Sequence, residues 1–357
     1  LLLTLSTSAA DPAHYALPPP EAEATLPGEG ALRRSEAYAK RWNEARPQWA
    51  ADIAKDQGAV VFLGDSITQG WGADFKQAFG GMKLANRGIG GDTTRGMLIR
   101  LKEDVLAVNP KAVVLLMGTN DIGLGVPTEA IGRNFRKIAE ALKSHDPKMP
   151  VIVCRIFPSS AANKRPKEAI LAANEAIAAA VKGDAQFTVL DTYALFADTE
   201  GDAREDLVPG RLHLNAAGYA KWAAALRPIF ATLGYLDTQA EDFQPDPGFV
   251  SLFNGKDLTG WGYRVTPPRK APKNPKPDAP LVVEIKTEEK FDGQVASSDG
   301  RYRAINGRLV VTTPAEGRRI QALSTQLEFP QDFILKLEFR ATPVSYTHLT
   351  LPTILLV

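Results

Sequence analysis

The sequence predicts a three-layer α/β domain followed by a smaller all-β domain. Between residues 59 and 232, short apolar runs alternate with longer segments of helical periodicity. The runs over 59–63, 112–117 and 151–157 are almost continuously apolar, as in strands that are buried on both faces of a parallel sheet. Beyond residue 248 the pattern changes to an alternation with a period of two, which is typical of antiparallel strands.

The elements of the first domain follow in order along the chain. We predict five parallel strands, over residues 59–63, 83–86, 112–117, 151–157 and 187–190. Helices are predicted over residues 93–106, 128–144, 166–181 and 215–232. Asp92 and Thr128 suit N-cap positions, and Pro166 suits a first helical turn. Right-handed crossovers between these strands would place helices on both faces of the sheet.

Composition excludes several classes of function. The 357 residues carry 42 Lys and Arg against 41 Asp and Glu, so no basic excess exists to neutralise phosphates and nucleic-acid binding is not expected. The single cysteine, Cys154, excludes an intramolecular disulfide and a multi-cysteine metal site. The four histidines are spread along the chain, which argues against a local histidine-rich metal cluster.

The two ends of the chain differ in character from its body. Residues 1–10 resemble the end of a secretory signal, because an apolar run gives way to small residues before Asp11. We therefore expect export to the periplasm or the extracellular space. No run of about eighteen apolar residues predicts a membrane-spanning helix. The segment 344–357 resembles translated sequencing adapter and is expected to be artefactual.

The expected organisation follows from these patterns. It consists of a signal remnant at 1–10, a lead-in segment at 11–58, the α/β domain at 59–236, a linker at 237–247, a partial β domain at 248–343 and an artefactual tail at 344–357.

Four polar segments follow predicted strands or precede the last helix. They are, in chain order, GDSITQG (64–70), NRGIGGDTT (86–94), GTND (118–121) and LHLNAAGY (212–219). Ligands of open α/β sheets bind beyond the carboxyl ends of the strands, so these segments are expected to meet. Ser66 could present a hydroxyl at a strand-to-helix turn, Asn120 could donate to a transient oxyanion, and His213 could be a general base.

Each segment alone also has a plainer interpretation. Gly-Asp-Ser is a common turn, and Asn120 could occupy a left-handed turn with Asp121 as a cap. A dinucleotide-binding G-x-G-x-x-G does not fit, because position 93 is Thr and the loop follows the second strand. The segment 64–70 also lacks the second glycine of a G-x-S-x-G nucleophile elbow.

Together the four segments resemble the four blocks of the GDSL/SGNH esterases, and the second resembles the platelet-activating-factor acetylhydrolase branch. The resemblance spans about residues 59–233 and implies a flavodoxin-like α/β fold with five parallel strands. It implies Ser66 as the nucleophile and His213 as the base. It also implies an oxyanion hole formed by the N–H groups of Ser66 and Gly91 and by the side chain of Asn120. Hydrolysis through an acyl-enzyme needs no metal or organic cofactor.

The chain departs from this family at one catalytic position. The family has an Asp three residues before the His, where this chain has Gly210. Four explanations remain open: a backbone carbonyl holds His213 in a Ser-His dyad, Asp206 or Glu205 reaches the imidazole, residue 210 is a sequence error, or the domain is an impaired relative. Loss of the triad Asp costs about 10⁴ in kcat in serine proteases, so slow turnover is expected rather than none.

The second domain carries a different resemblance. The segments LFNGKDLTGW (252–261) and SSDGRY (297–302) resemble the 3-keto-disaccharide hydrolase family, which implies a lectin-like jelly roll. The resemblance covers only about 249–340, so we expect an incomplete sheet, and we assign no catalytic residues there. Strands are predicted at 281–286, 308–312 and 333–340, turns at 299–300 and 306–307, and an irregular loop at 265–280.

The expected function is a serine esterase that removes short acyl groups, in particular acetyl, from a carbohydrate or another small ester. Trp71 could line an acyl or sugar pocket or belong to the core, and Phe157 could form another wall. One alternative is a lipid-directed esterase or lysophospholipase of the same fold. The other is a catalytically impaired glycan-binding protein in which the β domain dominates.

Overall fold

The computed structural model describes residues 12–184, 186–236, 247–265, 287–305, 307–311 and 322–335. These residues divide into two compact units. The first contains the described residues up to Lys182 together with Gln186–Ala225, and the second contains those from Leu226 onward and the short segment at 183–184. The expected signal remnant, the expected tail and all but the last residue of the expected linker lie outside the described residues.

The first unit is built on a five-stranded parallel sheet in the order β2-β1-β3-β4-β5. Its strands are β1 (Val60–Gly64), β2 (Leu84–Gly88), β3 (Ala112–Leu116), β4 (Val151–Cys154) and β5 (Phe187–Leu190). Every residue of β1, β3 and β4 is buried, because helices cover both faces of the sheet. The five predicted parallel strands are therefore confirmed, although β4 ends three residues earlier than predicted and β2 is displaced by one to two residues.

The strand order determines where a ligand can approach the sheet. The chain runs from β1 to β2 on one side and then returns to β3 on the other side of β1. The crossovers reverse direction at this point, so the loops after β1 and β3 leave a crevice between them. This order is the flavodoxin-like one.

Helices follow the strands and cover the sheet. In the first unit they are α1 (Glu36–Ala51), α2 (Ile53–Asp56), α3 (Ser66–Gln69), α4 (Thr94–Asp104), α5 (Thr119–Gly123), α6 (Thr128–His145), α7 (Lys167–Ala180) and α8 (Thr192–Phe196). The final helix, α9 (Ala216–Thr232), begins in the first unit. The long helices α4, α6, α7 and α9 correspond to the four predicted helices. Among the described residues, no helix is long and apolar enough to cross a membrane.

The predicted cap residues lie one position away from the observed helix starts. The N-cap of α4 is Thr93, whose side chain accepts the Gly96 N–H, whereas Asp92 binds groups on other elements. Thr128 is the first residue of α6, and Pro166 is the N-cap of α7. The prediction was wrong for Asp92 because its carboxylate forms a buried ion pair with Arg100 that local sequence does not reveal.

The expected lead-in segment contains the unpredicted helix α1. This helix buries Tyr38, Trp42 and Arg46, which are spaced by four residues and lie on one face. All three residues carry polar groups, and one is a cation, so an apolar periodicity was not evident. Arg46 is buried because it forms an ion pair with Asp104 of α4 at 2.9 Å.

The second unit contains two small antiparallel sheets. Its strands are β6 (Trp261–Tyr263), β7 (Glu289–Lys290), β8 (Tyr302–Ile305), β9 (Arg308–Val311) and β10 (Ser324–Thr325), with β10-β6-β7 in one sheet and β8-β9 in the other. Leu258, Tyr263, Phe291 and Tyr302 form its core. The all-β character is confirmed, whereas the jelly roll stays a prediction.

The individual predictions for this unit have mixed outcomes. The predicted strand at 308–312 corresponds to β9, which pairs with β8, and the predicted turn at 306–307 lies partly outside the described residues. The predicted strand at 281–286 and nearly all of the predicted loop at 265–280 lie outside the described residues. Residues 333–335 are not in a strand, which corrects the start of the third prediction, and Ile334 is 77% exposed there.

Candidate active site

Ser66 is the first residue of α3, and a single residue, Asp65, separates it from the end of strand β1. The side chain of Asp65 caps this short helix by accepting the Ile67 N–H at 2.9 Å. A side chain at Gly64 would collide with the hydroxyl of Thr68, and one at Gly88 would collide with the backbone of α3. Glycine is therefore required at the ends of β1 and β2, because α3 crosses them closely.

The structure brings His213 to Ser66. The two residues are separated by 147 positions, and the Nε2 atom of His213 lies 3.0 Å from the Oγ atom of Ser66. His213 is held just before α9, where Asn215 forms the helix cap. The side chain of Asn215 donates to the Asp206 carbonyl at 2.8 Å and accepts the Gly218 N–H at 2.9 Å. This geometry is that of a nucleophile and its general base.

Two predicted oxyanion donors belong to the backbone. Gly91 lies in the loop after β2 with a φ of 93°, a conformation that favours glycine. Within the part of the chain that the structure describes, neither the N–H of Gly91 nor that of Ser66 donates to a protein acceptor. Both groups are therefore available to a ligand.

The third predicted donor, Asn120, lies on α5 after β3. One hydrogen of its amide group is donated to the Asp92 carbonyl at 2.9 Å. An amide nitrogen carries two hydrogens, so the second remains for a ligand. Since Asp92 immediately follows Gly91, this bond also joins the β2 and β3 loops.

Arg165 was not singled out by the sequence, yet it holds Asn120 in place. Its guanidinium donates to the Thr119 carbonyl at 2.9 Å, to the Asn163 carbonyl at 2.6 Å and to the Asn120 side-chain oxygen at 3.3 Å. Because Arg165 donates to the side-chain oxygen of Asn120, the other end of this amide group is the nitrogen, which is the donor. Arg165 lies in an irregular segment and carries no motif, so no sequence signal identified it. The same applies to Tyr219, whose hydroxyl donates to the Ile67 carbonyl at 2.7 Å and holds α3.

A buried ionic network supports the β2 loop from behind. Asp92 accepts from the hydroxyl of Tyr38 at 2.8 Å and from the guanidinium of Arg100 at 2.8 Å. Arg100 also donates to the carbonyls of Gly64 and Arg87, at 3.1 and 2.8 Å. One buried arginine, Arg100, therefore joins the ends of β1 and β2 to Asp92 in the loop after β2.

The electrostatic environment favours a neutral imidazole. Desolvation of the ring, and then the positive charge of Arg165, lower the pKa of His213 below its ordinary value of 6.5. His213 is consequently unprotonated at neutral pH and can accept the proton of Ser66. Burial has the opposite effect on the adjacent carboxyl group and raises the pKa of Asp65 to about 7.

The structure does not bring the suggested orienting acid to the imidazole. Both carboxylate oxygens of Asp206 accept from Arg204, at 3.1 and 2.7 Å. The carboxylate of Glu205 accepts the Gly210 N–H at 2.8 Å. Among the described residues, the bond to Ser66 is the only hydrogen bond of the His213 side chain.

The two aromatic residues suggested as pocket walls belong to the core. Trp71 and Phe157 are each 3% exposed. Trp71 stacks on Trp222 at 4.6 Å, and Phe157 packs edge-on against the same ring at 5.3 Å. Of the two possibilities for Trp71, the structure supports the core position, and the suggestion of a wall at Phe157 is wrong because its ring faces the interior.

No metal centre is formed by the described residues, since no three His, Cys, Asp or Glu side chains among them cluster closely enough to hold an ion. Cys154 is buried, and burial raises the pKa of its thiol to about 12.

A parallel α/β sheet with a hydrogen-bonded serine and histidine at its carboxyl edge is an architecture of serine hydrolases. Residues 62–221 match the GDSL-like Lipase/Acylhydrolase family. This match agrees with the resemblance of the four sequence blocks to the GDSL/SGNH esterases.

The relatives are consistent with this assignment. The platelet-activating factor acetylhydrolase IB subunit alpha1 of Pongo abelii is 29% identical over 196 residues, which cover 54% of this chain and 84% of the relative. The human alpha1 subunit is 28% identical over the same lengths. A solved Streptococcus pneumonia protein named after platelet activating factor covers 54% of this chain and 94% of its own, with 22% identity and a TM-score of 0.50. The last similarity concerns the fold alone.

Proposed function

We propose that the protein is a serine esterase that hydrolyses short acyl esters, with Ser66 as the nucleophile and His213 as the general base. The 3.0 Å bond between these side chains is the observation that carries this proposal. It is supported by the N–H groups of Ser66 and Gly91, which donate to no described residue, and by the Asn120 amide at the same edge of the sheet.

The proposed reaction uses each of these groups in turn. His213 accepts the hydroxyl proton as Ser66 attacks the acyl carbonyl, and the tetrahedral oxyanion receives hydrogen bonds from Ser66, Gly91 and Asn120. The imidazolium then gives its proton to the departing alcohol, which leaves an acyl-enzyme. Water, deprotonated by His213, hydrolyses the acyl-enzyme and restores Ser66.

The absence of an acid at position 210 makes this a Ser-His dyad in our proposal. A dyad retains the nucleophile, the base and the oxyanion donors but lacks a carboxylate to stabilise the imidazolium. We expect turnover that is slow for the family and still well above the uncatalysed rate.

The substrate we propose is an acetylated carbohydrate. The support is the sequence of the second unit, where the segment 252–261 resembles a lectin-like family. In the structure, side chains of this segment form hydrogen bonds with its own backbone. Asn254 accepts the N–H groups of Lys256 and Asp257 at 2.8 and 3.0 Å, and the Trp261 indole donates to the Leu252 carbonyl at 2.9 Å.

The proposal is tested by labelling and by turnover on a panel of esters. A fluorophosphonate probe should label the wild type and the Ser144→Ala control, whose serine is exposed on α6, and should not label Ser66→Ala. Asn120→Ala should lower kcat for p-nitrophenyl acetate by about 10²–10³, as loss of an oxyanion donor does elsewhere. Full activity in Ser66→Ala would overturn the assignment of the nucleophile.

The same panel separates the substrate classes. Acetate release from acetylated xylan that exceeds hydrolysis of a lysophospholipid supports the carbohydrate substrate, and the reverse order supports the lipid-directed alternative. Binding to glycans without any fluorophosphonate labelling would instead identify a glycan-binding protein without esterase activity.

A further inference from the structure

Two arginines lie beside the proposed oxyanion donors without an acidic partner in the part of the chain that the structure describes. Most arginines of the first unit are paired with a carboxylate, as Arg100 is with Asp92 and Arg46 is with Asp104. By contrast, Arg33 and Arg165 form no ion pair with any described residue. A partly buried guanidinium without a counterion is costly, so its retention calls for an anion at that place.

Arg33 lies directly against the backbone of Gly91. A Cβ atom built on Gly91 would be 3.0 Å from the Cδ atom of Arg33 and 3.5 Å from its Nε atom. The Nε–H of Arg33 is buried and has no hydrogen-bond partner among the described residues. This donor is therefore unused, beside the N–H that we assign to the oxyanion hole.

Arg165 lies against another of the proposed donors, Asn120. Its guanidinium is 3.3 Å from the side-chain oxygen of Asn120, and its hydrogen bonds all go to neutral oxygens. Burial lowers the pKa of Arg165, and the positive charge of Arg33 lowers it further, so the two cations are within electrostatic range of each other. The charge of Asp65, whose carboxyl group is buried, acts on Arg165 in the opposite direction.

A third cation lies at the rim. Arg41 of α1 is exposed, and its guanidinium donates to the carbonyls of Ala37 and Gly90, at 3.2 and 3.5 Å. It also has no carboxylate partner in the described ranges. The loop of Gly90 and Gly91 is thus approached by Arg33 and Arg41, and the Asn120 amide by Arg165.

We propose that Arg33 and Arg165, with Arg41 at the rim, form a subsite for an anionic group carried by the ester substrate, a carboxylate or a phosphate. This inference rests on the proposed esterase function and specifies its substrate class. The ester would be bound with its acyl carbonyl at Ser66 and its negative group between the guanidinium groups. A uronic-acid ester and a phospholipid would both supply that chemistry, the first as a carboxylate and the second as a phosphate.

The test compares three acetyl esters of similar shape. Methyl 4-acetoxybenzoate is neutral, 4-acetoxybenzoate carries a carboxylate, and 4-acetoxyphenyl phosphate carries a phosphate. The values of kcat/KM are measured for the wild type, for Arg33→Gln and for the control Arg136→Gln, whose arginine is exposed on α6. For each ester, the kcat/KM of the variant is divided by that of the wild type, and these ratios are compared between the esters. The intrinsic reactivity of each ester cancels in its own ratio.

Arg33→Gln should lower kcat/KM for an anionic ester by about 10–100-fold more than for the neutral ester. The larger loss, with carboxylate or with phosphate, identifies which group the subsite accepts. Arg136→Gln should leave all three ratios near one. Equal losses for neutral and anionic esters, or no loss for any of them, would overturn the subsite.

A binding measurement separates failure of the subsite from failure of the esterase proposal. At matched ionic strength, sodium phosphate or sodium benzoate in place of chloride should raise the Tm of the wild type more than that of Arg33→Gln. If no ester is hydrolysed but this difference in Tm is present, the esterase proposal alone is wrong. If hydrolysis is observed with neither charge selectivity nor a difference in Tm, the subsite alone is wrong.

Discussion

Gly210 stands at the position where the GDSL/SGNH esterases have their catalytic Asp. Its backbone conformation limits which residues can replace it. Its φ is 64° and its ψ is 12°, and the following Arg211 also has a positive φ, of 57°. A Cβ atom at Gly210 would have no neighbour within 4 Å, so space is available. Aspartate and asparagine tolerate the left-handed region better than other residues, although some strain remains.

We expect Gly210→Asp to raise kcat for a short-chain ester by at least about tenfold, because a carboxylate would stabilise the imidazolium of His213. Gly210→Asn is the matched control, since it has nearly the same shape and backbone tolerance without the charge. Steady-state kinetics of both variants on p-nitrophenyl acetate provide the measurement. An equal gain in both variants would assign the effect to the backbone of the turn, and no gain would indicate that another group already orients His213.

At the scale of elements, α1 supports the loop that carries Gly91. The hydroxyl of Tyr38 is fully buried and donates to Asp92, which is also bound by Arg100 of α4. The carbonyl of Asp92 accepts from Asn120. The helix is thus connected to two of the proposed oxyanion donors through a single aspartate.

Tyr38→Phe should lower the free energy of unfolding by about 1–2 kcal/mol, because it leaves a buried carboxylate oxygen short of a hydrogen bond. It should also lower kcat severalfold, since the loop of Gly91 is held less firmly. The control is Tyr15→Phe, because the Tyr15 side chain is buried but its hydroxyl makes no hydrogen bond to a described residue. Urea unfolding and ester hydrolysis measure the two effects, and equal effects in both variants would contradict the role assigned to the Tyr38 hydroxyl.

For the whole molecule, buried carboxyl groups should make stability depend on pH. Burial raises the pKa of Asp65 to about 7 and that of Asp121 to about 6, from an ordinary 3.8. The native state therefore retains protons that the unfolded chain releases between about pH 4 and pH 7. Stability contributed by these groups is present at low pH and is lost as the pH rises through 6–7.

We expect Asp65→Asn to reduce the loss of stability between pH 5 and pH 8 by about 1–4 kcal/mol. The lowered pKa of His213 produces a pH dependence of the opposite sign, so the difference between wild type and variant is the informative quantity. Asp74→Asn, at an exposed aspartate, is the control. Urea unfolding at both pH values measures the effect, and identical pH dependence in wild type and Asp65→Asn would refute it.

The sequence was most informative where burial is two-sided. The continuous apolar runs of β1 and β3 identify strands of a covered parallel sheet, and α6 shows its buried face through Ile131, Phe135, Ile138 and Leu142. The sequence was least informative where contacts between residues far apart in the chain decide which side chains are buried and which segments form strands. Helix α1 buries an arginine because Asp104 is its partner, and residues 333–335, where the third strand of the second domain was predicted to begin, are not in a strand.

The sequence by itself determined the parallel α/β domain, the order of its strands along the chain, and the segments that supply Ser66, Gly91, Asn120 and His213. These follow from local periodicity and from residue types placed at strand ends. Only the tertiary structure decided that the two arginines beside the oxyanion donors have no carboxylate partner within the described ranges, that Trp71 is part of the core, and that Asp206 binds Arg204 instead of His213. The physical reason is that the pairing of charges and the burial of aromatic rings depend on residues far apart in the chain, which meet only after folding.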